Sequence, residues 1–274
     1  MKLYPAIDLY EGKAVRLYKG EYRQMTVYNE NPVAVAMDFE AAGSQCIHLV
    51  DLEGAKFGTT SNLPVIQRIV EATDLFVEVG GGIRTMETIE AYLSIGVNRV
   101  ILGTAAVTDR AFLEAALQKY GERIAVGVDL KDGFVAIKGW TEKSQWTAET
   151  FFADLEKLGV STVICTDISR DGAMQGTNRE LYKELSAKYN IQLIASGGVS
   201  SLEDVQALNE MNLHGAIIGK AYYTGAIDLK TDRCNIQCST KALPYGLEEH
   251  RKKSGFPSSP NPRLLHNPQL SMCR

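Results

Sequence analysis

A segment written twice in register, eight strand-like stretches alternating with helical ones, and an alternating region of about 225 residues together predict the fold. It is an α/β chain folded as a (β/α)8 TIM barrel, made of two homologous half-barrels. Residues 81–105, GGIRTMETIEAYLSIGVNRVILGTA, align without a gap with residues 197–221, GGVSSLEDVQALNEMNLHGAIIGKA, at an offset of 116. Each copy reads strand, glycine turn, helix, strand, glycine turn. An open doubly wound sheet needs only about six strands and gives no reason for such a repeat. The expected barrel spans 1–230, with half-barrels at about 1–120 and 121–230, and residues 231–274 stand apart from it.

Residues 3–12, LYPAIDLYEG, open with an apolar strand that ends at Asp8. The polar run 11–31, with Lys13, Arg16, Lys19 and Arg23, is too long for an ordinary βα connection and reads as a lid or binding loop. Pro32 starts an alanine-rich helix that Gly43 ends. Strand two, CIHLVD, ends at Asp51, and the helix 62–71 carries Pro64 in its first turn. The near-continuous apolar run LFVEV fits a parallel strand covered on both faces. The repeated unit supplies helix three and strand four, RVILG, and helix four covers roughly 108–120.

In the second half IAVGVDLKDG ends its strand at Asp129, and a long polar loop, 132–146, carries both tryptophans. Strand six, TVICTD, ends at Asp167, which keeps the 116 offset from Asp51. Thr177 with Glu180, and Ser200 with Glu203, read as capping boxes for the next two helices. LIASGG and AIIGK are strands seven and eight. The final helix that should close the ring has no convincing 3.6-residue stripe. The 231–274 segment holds five of the eight prolines and reads as a disordered or non-native tail.

The chain carries a net charge of −4, while 231–274 holds seven Lys/Arg against three Asp/Glu, so the barrel region is acidic. That balance argues against nucleic-acid partners, and any anionic ligand must be held by local devices. No signal peptide or spanning apolar run is evident, so the expected setting is the cytoplasm, with no membrane partner. The five cysteines are odd in number and scattered, and Cys234 and Cys238 lack a second ligand pair for zinc.

Active sites of such barrels lie at the C-terminal strand ends. Asp8 and Asp129 end strands one and five and face each other across the mouth, which makes them the expected catalytic acid and base, with Thr166 beside Asp167 as a hydrogen-bond donor. The turns at Gly81, Gly82, Gly103 and Thr104 form one phosphate cradle, and those at Gly197, Gly198, Gly219 and Lys220 form the other, because backbone N–H groups at a strand-to-helix turn close on an anion. Two facing cradles around two carboxylates call for a small-molecule bisphosphate; separately, the chain is expected to be a monomer with no metal site. Arg16, Arg84 and Trp146 are candidate clamps. Arg84 stands where the other half has Ser200 and offers a fork donor, and Trp140 or Trp146 is placed to stack on a flat heterocycle. Asp51, Asp167 and Gly176 complete the substrate-binding set, the two aspartates as structural or loop-orienting groups. His48 has no paired ligand and reads as a satisfied barrel residue.

AIDLYEGKAVRL, HLVDLEGAKFG, EVGGGIRT, VILGTAA, GVDLKDG, TDISRDGAMQG, ASGGVSS and IIGKAYYTGAIDL closely resemble the histidine-pathway isomerases that act on a phosphoribosylformimino-aminoimidazole carboxamide ribotide. The resemblance covers 1–230. It implies a cofactor-free Amadori rearrangement of an aminoaldose to an aminoketose, with Asp129 as the acid for ribose ring opening, Asp8 as the base at C2, and Thr166 assisting. The nearest relative, the cyclase subunit of imidazole glycerol phosphate synthase, begins with Cys-Leu-Asp where this chain has Ala6-Ile7-Asp8. Bifunctional isomerases that also take phosphoribosylanthranilate, and a catalytically silent phosphate-binding barrel, are the other readings.

Overall fold

The computed structural model describes residues 1–18 and 20–230; the expected tail, and the helix that would close the ring, lie outside the described residues. The first half runs β1 (Lys2–Tyr10), β2 (Lys13–Tyr18), β3 (Glu21–Asn29), α1 (Pro32–Ala41), β4 (Cys46–Asp51), α2 (Leu52–Phe57), α3 (Leu63–Ala72), β5 (Phe76–Gly80), α4 (Met86–Ser94), β6 (Arg99–Leu102), α5 (Thr104–Thr108) and α6 (Arg110–Tyr120). The second runs β7 (Ile124–Lys131), β8 (Phe134–Ile137), β9 (Glu142–Thr147), α7 (Ala148–Lys157), β10 (Thr162–Asp167), α8 (Arg179–Lys188), β11 (Gln192–Ser196), α9 (Leu202–Glu210), β12 (Gly215–Ile218) and α10 (Lys220–Tyr223).

Eight of these strands pair in parallel around a ring, β1–β4–β5–β6–β7–β10–β11–β12, and β12 returns to β1 with Tyr4 opposite Ile217. This is the closed (β/α)8 barrel. The strands are short and apolar because each is covered twice. One buried cluster, built from residues such as Ile47, Val79, Phe151 and Leu193, lies between the ring and the helices. A second, with Tyr4, Ala6, Ile101, Ile164, Ile194 and Ile217, fills the ring itself. The filling also includes charge. Arg99 donates to Glu78, to Thr162 Oγ1 at 3.2 Å and to Tyr4 Oη at 3.2 Å, and Glu78 reaches His48 Nδ1 at 2.7 Å. Arg99 and His48 together hold the Glu78 carboxyl below its usual range against the opposing effect of burial. His48 is thus bonded inside the barrel.

The two long polar runs differ from the expected loops: each is an antiparallel hairpin. β1 continues into β2 through Glu11 and Gly12, both at positive φ, and β7 into β8 through Asp132 and Gly133, also both positive. That pair of left-handed residues defines the turn whose twist suits a two-residue hairpin. The registers match, with Asp8 opposite Val15 and Asp129 opposite Ala136. β3 and β9 then extend each ribbon.

Two expected caps are displaced by one residue. Asn178, not Thr177, caps α8, its side chain accepting from Leu181 N at 3.2 Å, because the Thr177 hydroxyl is committed to the Gly197 carbonyl. Ser201, not Ser200, caps α9; Ser200 instead donates to the Asp204 carboxylate.

Candidate functional site

Asp8 stands at the C-terminal part of β1, and Asp129 occupies the matching part of β7, four strands round the ring. Asp8 is buried and faces Arg16 from the β2 strand of its own hairpin. Arg16 Nη1 donates to both carboxylate oxygens, at 2.8 and 2.9 Å, and Nη2 reaches the Ala6 carbonyl at 3.4 Å. The attraction of Asp8 keeps Arg16 protonated more firmly than usual although burial works the other way.

Asp129 has no arginine. Burial pushes its carboxyl up, opposed by hydrogen bonds from Trp140 and Thr166 and by the charge of His48. Thr166 is directly opposite Asp129 in the β7–β10 pairing, which explains the contact. A third carboxylate, Asp171, belongs to the connection after β10. Burial, with the charges of Asp8 and Asp129, pushes it up to about 6 against the pull of Arg16. The mouth therefore holds one carboxylate locked to a cation and two that burial pushes up, and such unlike surroundings are what separates an acid from a base. Asp171 was not singled out from the sequence; its SRDG context is a turn signal, and only the folded connection aims it inward.

The first glycine pairs of each half are pinned by the preceding strand and loop. A Cβ on Gly82 would collide with the Gly54 carbonyl, and one on Gly198 would lie 2.6 Å from the Gly176 carbonyl. All four glycines at 81, 82, 197 and 198 have positive φ. Gly103 and Gly219 are the N-cap residues of α5 and α10, and neither helix start is capped by a side chain. Thr104 accepts a hydrogen bond from Lys138 N at 2.9 Å, and Lys220 donates to the Gly172 carbonyl at 3.3 Å.

Other sequence-marked residues are held elsewhere. Asp51 is fully buried and accepts from Gly54 N, Asn62 Nδ2 and Tyr92 Oη, so both oxygens serve the fold and not an open pocket. Asp167 accepts from Ser169 and from Asn178 Nδ2 at 2.6 Å. Arg84 is exposed and leans over the rim, toward the Ala55 carbonyl at 3.3 Å. Trp146 packs on Phe151, with ring centroids 5.4 Å apart, so its indole is part of the hairpin's anchorage on α7. Trp140 is the tryptophan at the mouth: it bonds Asp129, and its ring lies against Gly20 of the first hairpin, where an added Cβ would sit 2.8 Å away. The two hairpins thus meet at Trp140, and of the two tryptophans offered for stacking it is Trp140 that stands beside Asp129, while Trp146 packs on α7. Among the described residues, no three His, Cys, Asp or Glu side chains are grouped to hold a metal ion, and no helix is long and apolar enough to cross a membrane.

Residues 2–228 match the family model described as histidine biosynthesis protein. The chain is 50% identical over 234 residues, 85% of its length and 95% of the relative's, to a Lactococcus lactis subsp. cremoris (strain SK11) protein. That relative is named 1-(5-phosphoribosyl)-5-((5-phosphoribosylamino)methylideneamino) imidazole-4-carboxamide isomerase. The chain is likewise 51% identical over 230 residues, 84% of its own length and 96% of the relative's, to a Bacillus cereus (strain B4264) protein of the same name.

Proposed function

The chain belongs to the histidine biosynthesis protein family, and from that membership we propose that it catalyses the Amadori rearrangement its relatives are named for. It converts the aminoaldose ribotide, 1-(5-phosphoribosyl)-5-((5-phosphoribosylamino)methylideneamino) imidazole-4-carboxamide, to the aminoketose, as a cytoplasmic monomer. The observation that carries the reading is the mouth itself, where strand-end carboxylates in unlike surroundings stand between two glycine-lined turns.

In the proposed mechanism the substrate lies across the mouth with its phosphates at Gly81, Gly82, Gly103 and Thr104 on one side and at Gly197, Gly198, Gly219 and Lys220 on the other. Asp129 gives its proton to the ribose ring oxygen, the C1–O bond breaks, and the nitrogen lone pair forms the protonated Schiff base. Thr166 orients Asp129 for this step. Asp8 then takes the proton from C2, the electrons move onto the nitrogen, and an enaminol results. Its tautomerisation, with a proton delivered to C1, leaves the C2 ketone. Trp140 covers the heterocycle.

The test is an absorbance assay with the aminoaldose ribotide, coupled to the synthase that consumes the product. Turnover abolished by Asp8→Asn is the expected result. A folded chain that binds the ribotide without converting it would support a silent phosphate-binding barrel in its place.

A further inference from the structure

We infer that Arg16 is a latch worked by the substrate's own phosphate: in the empty barrel it covers Asp8, and a phosphate arriving at the Gly219–Lys220 turn draws it away and uncovers the base. This rests on the isomerase reading above.

The geometry gives Arg16 two addresses at once. Nη1 engages both oxygens of Asp8, so the lone pairs that must accept the C2 proton already point at a cation. Nη2 stands where a Cβ on Gly219 would be, so the same guanidinium fills the hollow at that turn. At Gly103, the corresponding turn of the other half, nothing lies within 4 Å of such a Cβ. One group therefore occupies the space next to the base and the space that an anion would take. The two are close enough for a rotation of the side chain to pass from one to the other.

The resting position is also incomplete. Arg16 Nε is buried and has no hydrogen-bond partner. A phosphate offers three oxygens to a planar fork of donors, and so satisfies what a single carboxylate leaves unmet. The other groups near the guanidinium are Tyr223, whose ring centroid is 5.8 Å away, and Asp171, while Lys220 of the same turn is engaged with the Gly172 carbonyl. The second hairpin has no counterpart. Its residue one step past the partner of Asp129 is Ile137, where the first hairpin has Arg16 one step past the partner of Asp8. The device belongs to the base alone. It has a clear chemical use, since Asp8 becomes available only when the substrate is seated at that end.

The test uses two analogues of the aminoaldose, each lacking one terminal phosphate, assayed on the whole chain with and without phosphite dianion. With one analogue phosphite should raise kcat about tenfold, the ordinary scale of coupling between two sites. In Arg16→Met that activation should disappear while unassisted turnover of the same analogue rises. Absence of activation with either analogue in the unaltered chain overturns the latch, whether or not the variant folds. Activation that persists undiminished in Arg16→Met overturns it as well. Failure of the isomerase reading is a separate result, because it appears as no conversion of the complete bisphosphate.

Inorganic phosphate, titrated calorimetrically, gives a readout without turnover. Asp8→Asn should bind it about tenfold more tightly, with the gain lost in the Asp8→Asn/Arg16→Met chain. An equal gain with and without Arg16 would reduce the effect to charge repulsion and remove the latch.

Discussion

Gly103 and Gly219 stand at equivalent turns and adopt nearly the same backbone, φ −95° and ψ −106° against φ −98° and ψ −109°. Around them the halves part: Gly103 borders open space, whereas Gly219 is covered by the Arg16 guanidinium. Deeper in the scaffold the likeness holds at the side-chain level. Asn62 and Asn178, 116 residues apart, bond Asp51 and Asp167 through the same amide nitrogen, at 2.8 and 2.6 Å. The repeat thus governs turns and strand ends. What distinguishes Asp8 from Asp129 sits in the hairpins, whose registers match but whose side chains differ, with Arg16 standing where the other half has Ile137.

The largest effects should come from the strand-end carboxylates. Asp8→Asn and Asp129→Asn should each reduce kcat at least ~100-fold. Steady-state assays at several pH values sharpen the comparison, because loss of a base and loss of an acid flatten opposite limbs of the profile. Next comes the pinned turn. Gly82→Ala places a methyl against the Gly54 carbonyl at positive φ and should cost about 2–4 kcal/mol in urea denaturation, with Gly198→Ala costing less because its carbonyl is farther away. Equal losses would show that strain, rather than contact, governs both turns.

Gly103→Asp should weaken bisphosphate binding about tenfold or more by like-charge repulsion, with little change in melting temperature, since the site has room for the side chain. Asp171→Asn tests the third carboxylate. Its folded pKa of about 6 lies above the ordinary 3.8, so the folded state holds its proton longer, and ionisation between those values favours the unfolded chain. The substitution should therefore raise the melting temperature by roughly one to a few degrees at pH 7.5 and leave it unchanged at about pH 2.5, below both values, where the carboxyl is protonated in the folded and the unfolded chain. The smallest effect belongs to Arg84→Ser, which copies the other half: stability should stay within about 0.5 kcal/mol, and a ribotide KM equal to that of the unaltered chain would remove Arg84 from the clamps.

The barrel was legible because its strands are apolar on both faces and its turns are repeated. The hairpins were not, for a physical reason. β3, EYRQMTVYN, is exposed at most of its positions, so no alternation of buried and exposed residues marks it as a strand. Caps were legible to within one residue, since Thr177 and Asn178 are both able to cap and only the packing of Gly197 decides between them. Asp8, Asp129 and Thr166 could be placed at the mouth by strand counting alone. Asp171 and Trp140 could not, because each acquires its position from a connection whose path depends on its neighbours. Trp140 itself sits at positive φ, a conformation that nothing in its local sequence announces.

Ring closure has a consequence for synthesis of the chain. β1 needs β4 on one side and β12 on the other, and Lys2 N also bonds the His214 carbonyl at 2.9 Å. β1 thus leaves the ribosome well before β12, its second neighbour, has been made. At a translation rate of about 5–20 residues per second its open edge waits on the order of ten to forty seconds for β12 to emerge. Throughout that interval an unpaired apolar strand is available to other nascent chains. The yield of this enzyme in the cell should therefore depend on ribosome speed and on holdase chaperones well before any property of the finished barrel matters.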